Sequence, residues 1–238
     1  MKLKLTYVFH NCFMITIENT VFLFDYPEAR FLSETMEQIV LNEIAGRRLY
    51  YFVSHSHADH FNPDPSKIIQ AAQDRVFILS EDTYAEAANY HGNIHYFLPD
   101  ECRTIDGMEI TTFESSDEGV AFLIRFNEKL IYFGGDLANW NWDELEIEEK
   151  QAMESFYTRF LDRLSAYVID VAMVNTDPRM NTWAGAAEFI EKIKPKFFVP
   201  MHTFGKTATL KRFYRSLAPE HPPVFLYQEP GDSMEIEI

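Results

Sequence analysis

Leu49-Tyr50-Tyr51-Phe52-Val53-Ser54-His55-Ser56-His57-Ala58-Asp59-His60 is the stretch that decides the fold. Its first five residues form an unbroken apolar run, rich in aromatic and β-branched side chains, which predicts a buried strand. The polarity then reverses, and three imidazoles and a carboxylate follow within six positions. A solvated His-rich loop accounts well for a single HxH pair. It accounts poorly for HxHxDH launched directly from a buried strand. In a turn, alternate side chains can point the same way. His55 and His57 can then meet one ion while Asp59 and His60 face a neighbouring one. Zinc takes imidazole nitrogen and carboxylate oxygen and can keep a position open for water. The same donors suit iron and manganese, so the ligands do not choose the metal.

Outward from this loop, strand-like and helix-like runs alternate along the chain. Residues 2–9 alternate polar and apolar, and 14–24 hold two further strand-like runs. Helical spacing covers 34–45 and stops at Gly46. Asp64 reads as an N-cap with Pro65 opening a helix to about residue 73. Residues 76–79 predict a strand and 81–90 a helix. Runs at 109–113, 120–126 and 130–133 predict a meander. A long amphipathic helix follows at 148–167, then a buried strand at 168–174, a helix at 184–193 and a short strand at 197–200. A helix at 209–217 and a strand at 224–227 complete the pattern. No linker, low-complexity tract or short repeat interrupts it, so one domain over 1–238 is expected. The polar candidates fall where apolar strands end, the place where α/β proteins assemble sites.

Composition narrows the function classes. The chain has 238 residues, of which 47% are hydrophobic, enough for a sizeable core and against disorder. A formal net charge of -16 argues against nucleic-acid and anionic-membrane partners. Cys12 and Cys102 have neither metal spacing nor a disulfide framework. With no signal-peptide or membrane-span pattern, the expectation is a cytoplasmic protein with free thiols.

HxHxDH after a hydrophobic strand resembles the signature of the metallo-β-lactamase superfamily, most of all its sugar-phosphate lactonase-like branch. Asp25 after VFLF resembles the early aspartate that supports the metal loop from behind. Asp136 after LIYFGG resembles the carboxylate that bridges two metals, and His202 in FFVPMHTFG resembles the late histidine. The resemblance implies a four-layer αβ/βα sandwich with the site at one edge of two facing sheets. It further implies that His55 and His57 hold a first metal, that Asp59, His60 and His202 hold a second, and that Asp136 bridges them. The cofactor would be one or two divalent ions, zinc first, manganese or iron otherwise. Paired ions lower the pKa of a shared water and clamp a developing oxyanion, and Asp59 could orient that nucleophile as the catalytic residue.

One departure stands out. The family supplies a third histidine to the first metal from a mid-chain loop. Here that loop is Glu114-Ser115-Ser116-Asp117-Glu118-Gly119, without a histidine. Either Asp117 replaces it or the first site is weak or empty. Outside the motif, His91 and His95 read as surface or core residues, and His10, after the first strand, could lie near the site but reads first as a lone structural histidine. Trp140 and Trp142 could wall a pocket or simply cover the sheet edge. Arg179 could clamp a substrate phosphate or carboxylate, or serve only as an ion pair. Thr203 and Lys206 give a weak anion signal. A small-molecule hydrolase acting on an ester, lactone or phosphodiester is the leading expectation. A nuclease of the same fold lacks a basic track, since Arg47-Arg48 and Lys211-Arg212 are the best clusters. A single-metal redox protein and a non-catalytic metal binder are the remaining alternatives.

Overall fold

A computed structural model describes residues 1–238. The chain forms two compact units, one of residues 1–98 with 227–238 and the other of residues 99–226.

The first unit is built on a seven-stranded sheet. Its strands are β1 (Lys2–Phe9), β2 (Cys12–Ile17), β3 (Thr20–Phe24), β4 (Arg48–Val53), β5 (Asp74–Ser80), β6 (Asn93–Phe97) and β13 (Ser233–Glu237). Their order is β13-β1-β2-β3-β4-β5-β6. The helices α1 (Glu34–Ile44) and α2 (Ser66–Ala71) connect the parallel strands, as parallel pairing requires. Val40 and Ile44 of α1 and Ile68 of α2 share a core with Leu23, Tyr51 and Phe77 of the sheet. Ser33 caps α1 by accepting from Met36 N at 3.2 Å. Because β1 and β3 both run antiparallel to β2, and β3 runs parallel to β4, the C-terminal ends of β1, β3 and β4 share one sheet edge.

The second unit carries a six-stranded sheet, ordered β12-β11-β10-β9-β8-β7. The strands are β7 (Cys102–Ile105), β8 (Met108–Glu114), β9 (Val120–Phe126), β10 (Lys129–Phe133), β11 (Val171–Asn175) and β12 (Phe197–Met201). The meander β8-β9-β10 is antiparallel, while β10, β11 and β12 are parallel. Consequently β8, β10, β11 and β12 all end at the same edge. The helices α3 (Ile147–Leu164), α4 (Ala186–Ile193) and α5 (Leu210–Ser216) bury Tyr157, Phe160, Phe189 and Phe213 with Tyr132, Ala172 and Phe198 of the sheet.

Three expected elements differ. Residues 81–90 form a 3-10 turn, Glu81–Thr83, followed by turns rather than a helix. Tyr90 donates to Asn62 O at 2.6 Å and Asn89 to Pro63 O at 3.1 Å, so anchoring to the preceding loop overrides the segment's helical composition. The strand expected at 224–227 is a single bridge from Val224 to Phe198. Pro222 and Pro223 just before it have no N–H to extend the ladder. Asp64 does not start α2 directly. Its Oδ1 accepts from Ser66 N at 3.1 Å, and Pro65 is the cap residue. The short strands β6, β7 and β13 were not expected.

Candidate metal centre

In the first unit, the shared edge of β1, β3 and β4 gathers His10, Asp25 and the 54–60 loop. His10 and Asp25 leave their strands at φ 49° and 42°. Left-handed backbone is costly for residues with a Cβ and concentrates at functional sites. Asp25 is fully buried and organises what surrounds it. Its Oδ1 accepts from Ser54 N at 2.8 Å, and its Oδ2 from the Ser54 hydroxyl at 2.6 Å. The same Oδ2 lies 2.7 Å from His60 Nδ1. Burial pushes the Asp25 carboxyl above its ordinary value, against the opposing pull of His60 and Ser54.

This arrangement fixes two tautomers. A carboxylate facing His60 Nδ1 holds the ring proton there and leaves the Nε2 lone pair for a metal. The Ser54 hydroxyl gives its proton to Asp25, so its oxygen accepts from His55 Nδ1 at 2.9 Å. His55 Nε2 is thereby left as a ligand atom, 3.0 Å from His57 Nδ1. Two nitrogens bound to one zinc at about 2.0–2.1 Å sit roughly 3.3 Å apart in a tetrahedron. The spacing therefore fits one ion held by both. His10 joins the others: its Nε2 is 3.5 Å from Asp59 Oδ2, which is 3.9 Å from His60 Nε2. The rings of His10 and His60 meet edge-on at 5.1 Å.

The second unit supplies a matching set from the ends of β8, β10, β11 and β12. Asp136 follows β10, Asp177 follows β11 and His202 follows β12. His202, at φ 62°, places Nε2 3.4 Å from Asp136 Oδ2. Its Nδ1 lies 2.9 Å from Asp177 Oδ2, so Asp177 orients His202 as Asp25 orients His60. Burial alone would raise the Asp177 carboxyl. Hydrogen bonds from His202 and Arg179 outweigh it and hold the group well below the usual range. Asp117 comes to the same place. Its loop is pinned by Ser116, whose hydroxyl donates to Ala138 O at 2.6 Å and accepts from Ala138 N at 2.9 Å. The carboxylates of Asp117 and Asp136 have ligand atoms within 4.8 Å of each other.

The remaining candidates separate. Trp140 is buried, donates to Asp136 O at 2.7 Å and packs with Met180 and Ala184, which supports the covering role. Trp142 is half-buried and lies under Arg179. Arg179 is paired with Asp177 through Nε and Nη2. His91 is exposed and His95 half-buried on β6, as the sequence implied. Lys206 is exposed and Thr203 buried. The sequence points to His10 only as a lone histidine that could lie near the site, and to Asp177 only as the strand-end neighbour of Arg179; neither is singled out as part of the site. Each is a lone polar residue, and only its position at a strand end marks it.

The family profile of the "Beta-lactamase superfamily domain" matches residues 4–202, a span that includes every residue named above as a ligand candidate. The chain belongs to the β-lactamase superfamily. The two mixed sheets with their helices are the α/β metallo-β-lactamase fold. Members of similar fold include Igni18, a metallo hydrolase from the hyperthermophilic archaeon Ignicoccus hospitalis KIN4/I, at TM-score 0.67 and 19% identity over 100% of both chains. The metallo-β-lactamase fold protein YhfI from Bacillus subtilis aligns at TM-score 0.62 and 12% identity, over 99% of this chain and 100% of its own. CmlA, a diiron β-hydroxylase from Streptomyces venezuelae, aligns at TM-score 0.61 and 12% identity, over 99% of this chain but 54% of its own. No curated protein matches the chain. No helix is long and apolar enough to cross a membrane.

Proposed function

We propose that this superfamily member is a metal-dependent hydrolase of a small-molecule ester, lactone or phosphodiester. The observation that carries the reading is the paired support of the histidines. Asp25 and Asp177, buried behind His60 and His202, each turn an imidazole Nε2 toward neighbouring carboxylates. A histidine with a merely structural role has no need of a fixed lone pair aimed at a second acceptor. The donors are imidazole and carboxylate, which fit zinc, manganese or iron.

In this reading the ligand candidates are His55, His57, Asp59, His60 and His10 in the first unit and Asp117, Asp136 and His202 in the second, and these residues would hold the metal. Divalent ions bound there supply an activated water and stabilisation of the developing oxyanion. The protein's own part is orientation. Asp25 and Ser54 keep the ligand lone pairs fixed, and Asp59, flanked by His10 and His60, would accept the proton of the attacking water.

The test is elemental analysis of protein purified without chelator, together with a screen of lactones, esters and phosphodiesters. Two equivalents of metal and hydrolysis that a chelator abolishes are expected. Asp136→Ala should lose metal and activity while keeping its far-UV spectrum. Metal-free protein that stays inactive on every class after zinc, manganese or iron addition overturns the reading. A coloured iron protein without hydrolysis points to the oxidative alternative.

A further inference from the structure

Around His202 the second unit closes a circuit of five side chains. Trp140 and Trp142 stack with centroids 5.8 Å apart and planes 6° from parallel. The Arg179 guanidinium carbon lies 5.1 Å from the Trp142 ring and 5.1 Å from the Phe204 ring. Phe204 and Trp140 flank His202 at 4.9 and 5.0 Å. The guanidinium is thus fixed by two rings and by Asp177, which accepts along the Nε–Nη2 edge.

That pairing leaves part of the group unused. A guanidinium carries five N–H donors. Asp177 engages one on Nε and one on Nη2. The Nη1–Nη2 edge retains the parallel pair of donors that matches a carboxylate. The side chain is 48% exposed, so this edge can be reached. Arg179 also lines a cavity of about 230 Å³ with Trp142, Asp143, Glu144, Asn181 and Thr182, in which it is the only cation. Asp143 and Glu144 oppose the approach of more than one negative charge. A phosphate monoester would bring about −1.5 to −2 charges, a carboxylate one.

We propose that Arg179 docks a single carboxylate of the substrate beside the metal centre, so that the natural substrate is a carboxylate-bearing ester or lactone. This rests on the reading of Asp136 and His202 as metal ligands. Asp177 accepts from both Arg179 and His202, so one carboxylate fixes the substrate anchor and the metal ligand relative to each other. A substrate carboxylate seated on Arg179 would place its neighbouring ester carbon at a set reach from the metal centre.

The test uses metal-loaded protein and two esters of equal chain length: mono-4-nitrophenyl glutarate, with a free carboxylate, and neutral 4-nitrophenyl valerate. The wild type should favour the anionic ester at least tenfold in kcat/KM. That preference should fall toward one in Arg179→Met at unchanged metal content. A wild-type ratio near one, or an undiminished ratio in the variant, overturns the proposal. Should Arg179→Met not fold, Arg179→Lys keeps the charge without the paired donors. A several-fold loss of preference then upholds the proposal and an intact preference overturns it. Binding of monomethyl glutarate, followed by tryptophan fluorescence, is independent of turnover. If neither ester is hydrolysed the hydrolase reading has failed, and this titration decides alone. Tenfold weaker binding in the variant upholds the anchor, and equal binding removes it. Tighter binding of inorganic phosphate than of monomethyl glutarate overturns the choice of carboxylate.

Discussion

Replacing Asp25 by Asn keeps the volume and changes only the hydrogen-bonding character of a buried group. The carboxylate now accepts three bonds, from Ser54 N, the Ser54 hydroxyl and His60 Nδ1. An asparagine that still accepts from Ser54 N turns its NH2 toward Ser54 Oγ and His60 Nδ1. Both must then become acceptors. The His60 proton moves to Nε2, where the lone pair for metal had been, and the Ser54 hydroxyl proton, left without an acceptor on residue 25, turns to His55 Nδ1 and shifts that ring's proton to Nε2 as well. Loss of a group supporting a ligating histidine costs about 10- to 100-fold in metal affinity, or roughly 1.4–2.7 kcal/mol. Because Asp25 acts on two histidines, the upper end is expected. Stability of the metal-free protein should move the other way. The Asp25 carboxyl is raised by burial. Its ionised form therefore opposes folding: stability linked to this group is fully present below the ordinary value of 3.8 and is lost as pH rises through the raised one. At neutral pH the metal-free Asp25→Asn variant should melt at the same temperature as the wild type or higher. The assay is competition against a chromogenic chelator, with melting curves taken with and without metal. Wild-type metal affinity in the variant would refute the tautomer argument. So would lower affinity accompanied by an equal loss of metal-free stability, because that is the mark of a merely structural residue.

Three other substitutions or conditions test neighbouring features. Asp117→Ala should lower the metal content by up to one equivalent in elemental analysis, and unchanged stoichiometry would remove it from the ligand set. Asp177 is held below its ordinary value, so it lends stability that is present above pH 3.8 and is lost as pH falls toward its depressed value. Acid unfolding of the metal-free protein should therefore start at higher pH, and run less steeply below pH 3.8, in Asp177→Asn than in the wild type. Coincident acid transitions would contradict the Asp177 pairing. Gly185 has φ 82°, and a Cβ there would meet Tyr157 Cε1 at 2.7 Å and Asn139 Cβ at 2.8 Å. Gly185→Ala should cost on the order of 1–3 kcal/mol in denaturant unfolding, and a cost within error of zero would show that Tyr157 can retreat.

The features legible in the sequence were those written locally. The run 49–53 became β4, and the histidines it delivers lie at its end. Helical spacing at 34–45 became α1 within a residue. Where tertiary contacts decide, local reading fails. Glu and Ala in 81–90 favour a helix, yet Tyr90 and Asn89 are tied to the Asn62–Pro63 loop. β13 alternates Met234 and Ile236 with polar residues, but it is only five residues long and mostly exposed, too short a run to stand out from a polar C-terminal segment. Asp177 was visible only as a neighbour of Arg179. Its bond to His202 links positions 25 residues apart and leaves no trace in spacing. His10 stood alone in sequence because Asp59 and His60 reach it through the pairing of strands.

The place of β13 bears on how the chain reaches this fold. β13 pairs with β1 in the register Lys2↔Glu237, while β1 pairs with β2 through a tight turn. During synthesis the outer edge of β1 is therefore bare from the moment the β1-β2 hairpin forms until the whole of residues 99–226 has been made. An unpaired edge of this kind invites association with other nascent chains. Lys2 and Lys4 stand on that strand and later meet Glu235 and Glu43 at 2.7 and 2.6 Å. While they wait, their charges discourage a neighbouring strand from taking the vacant edge.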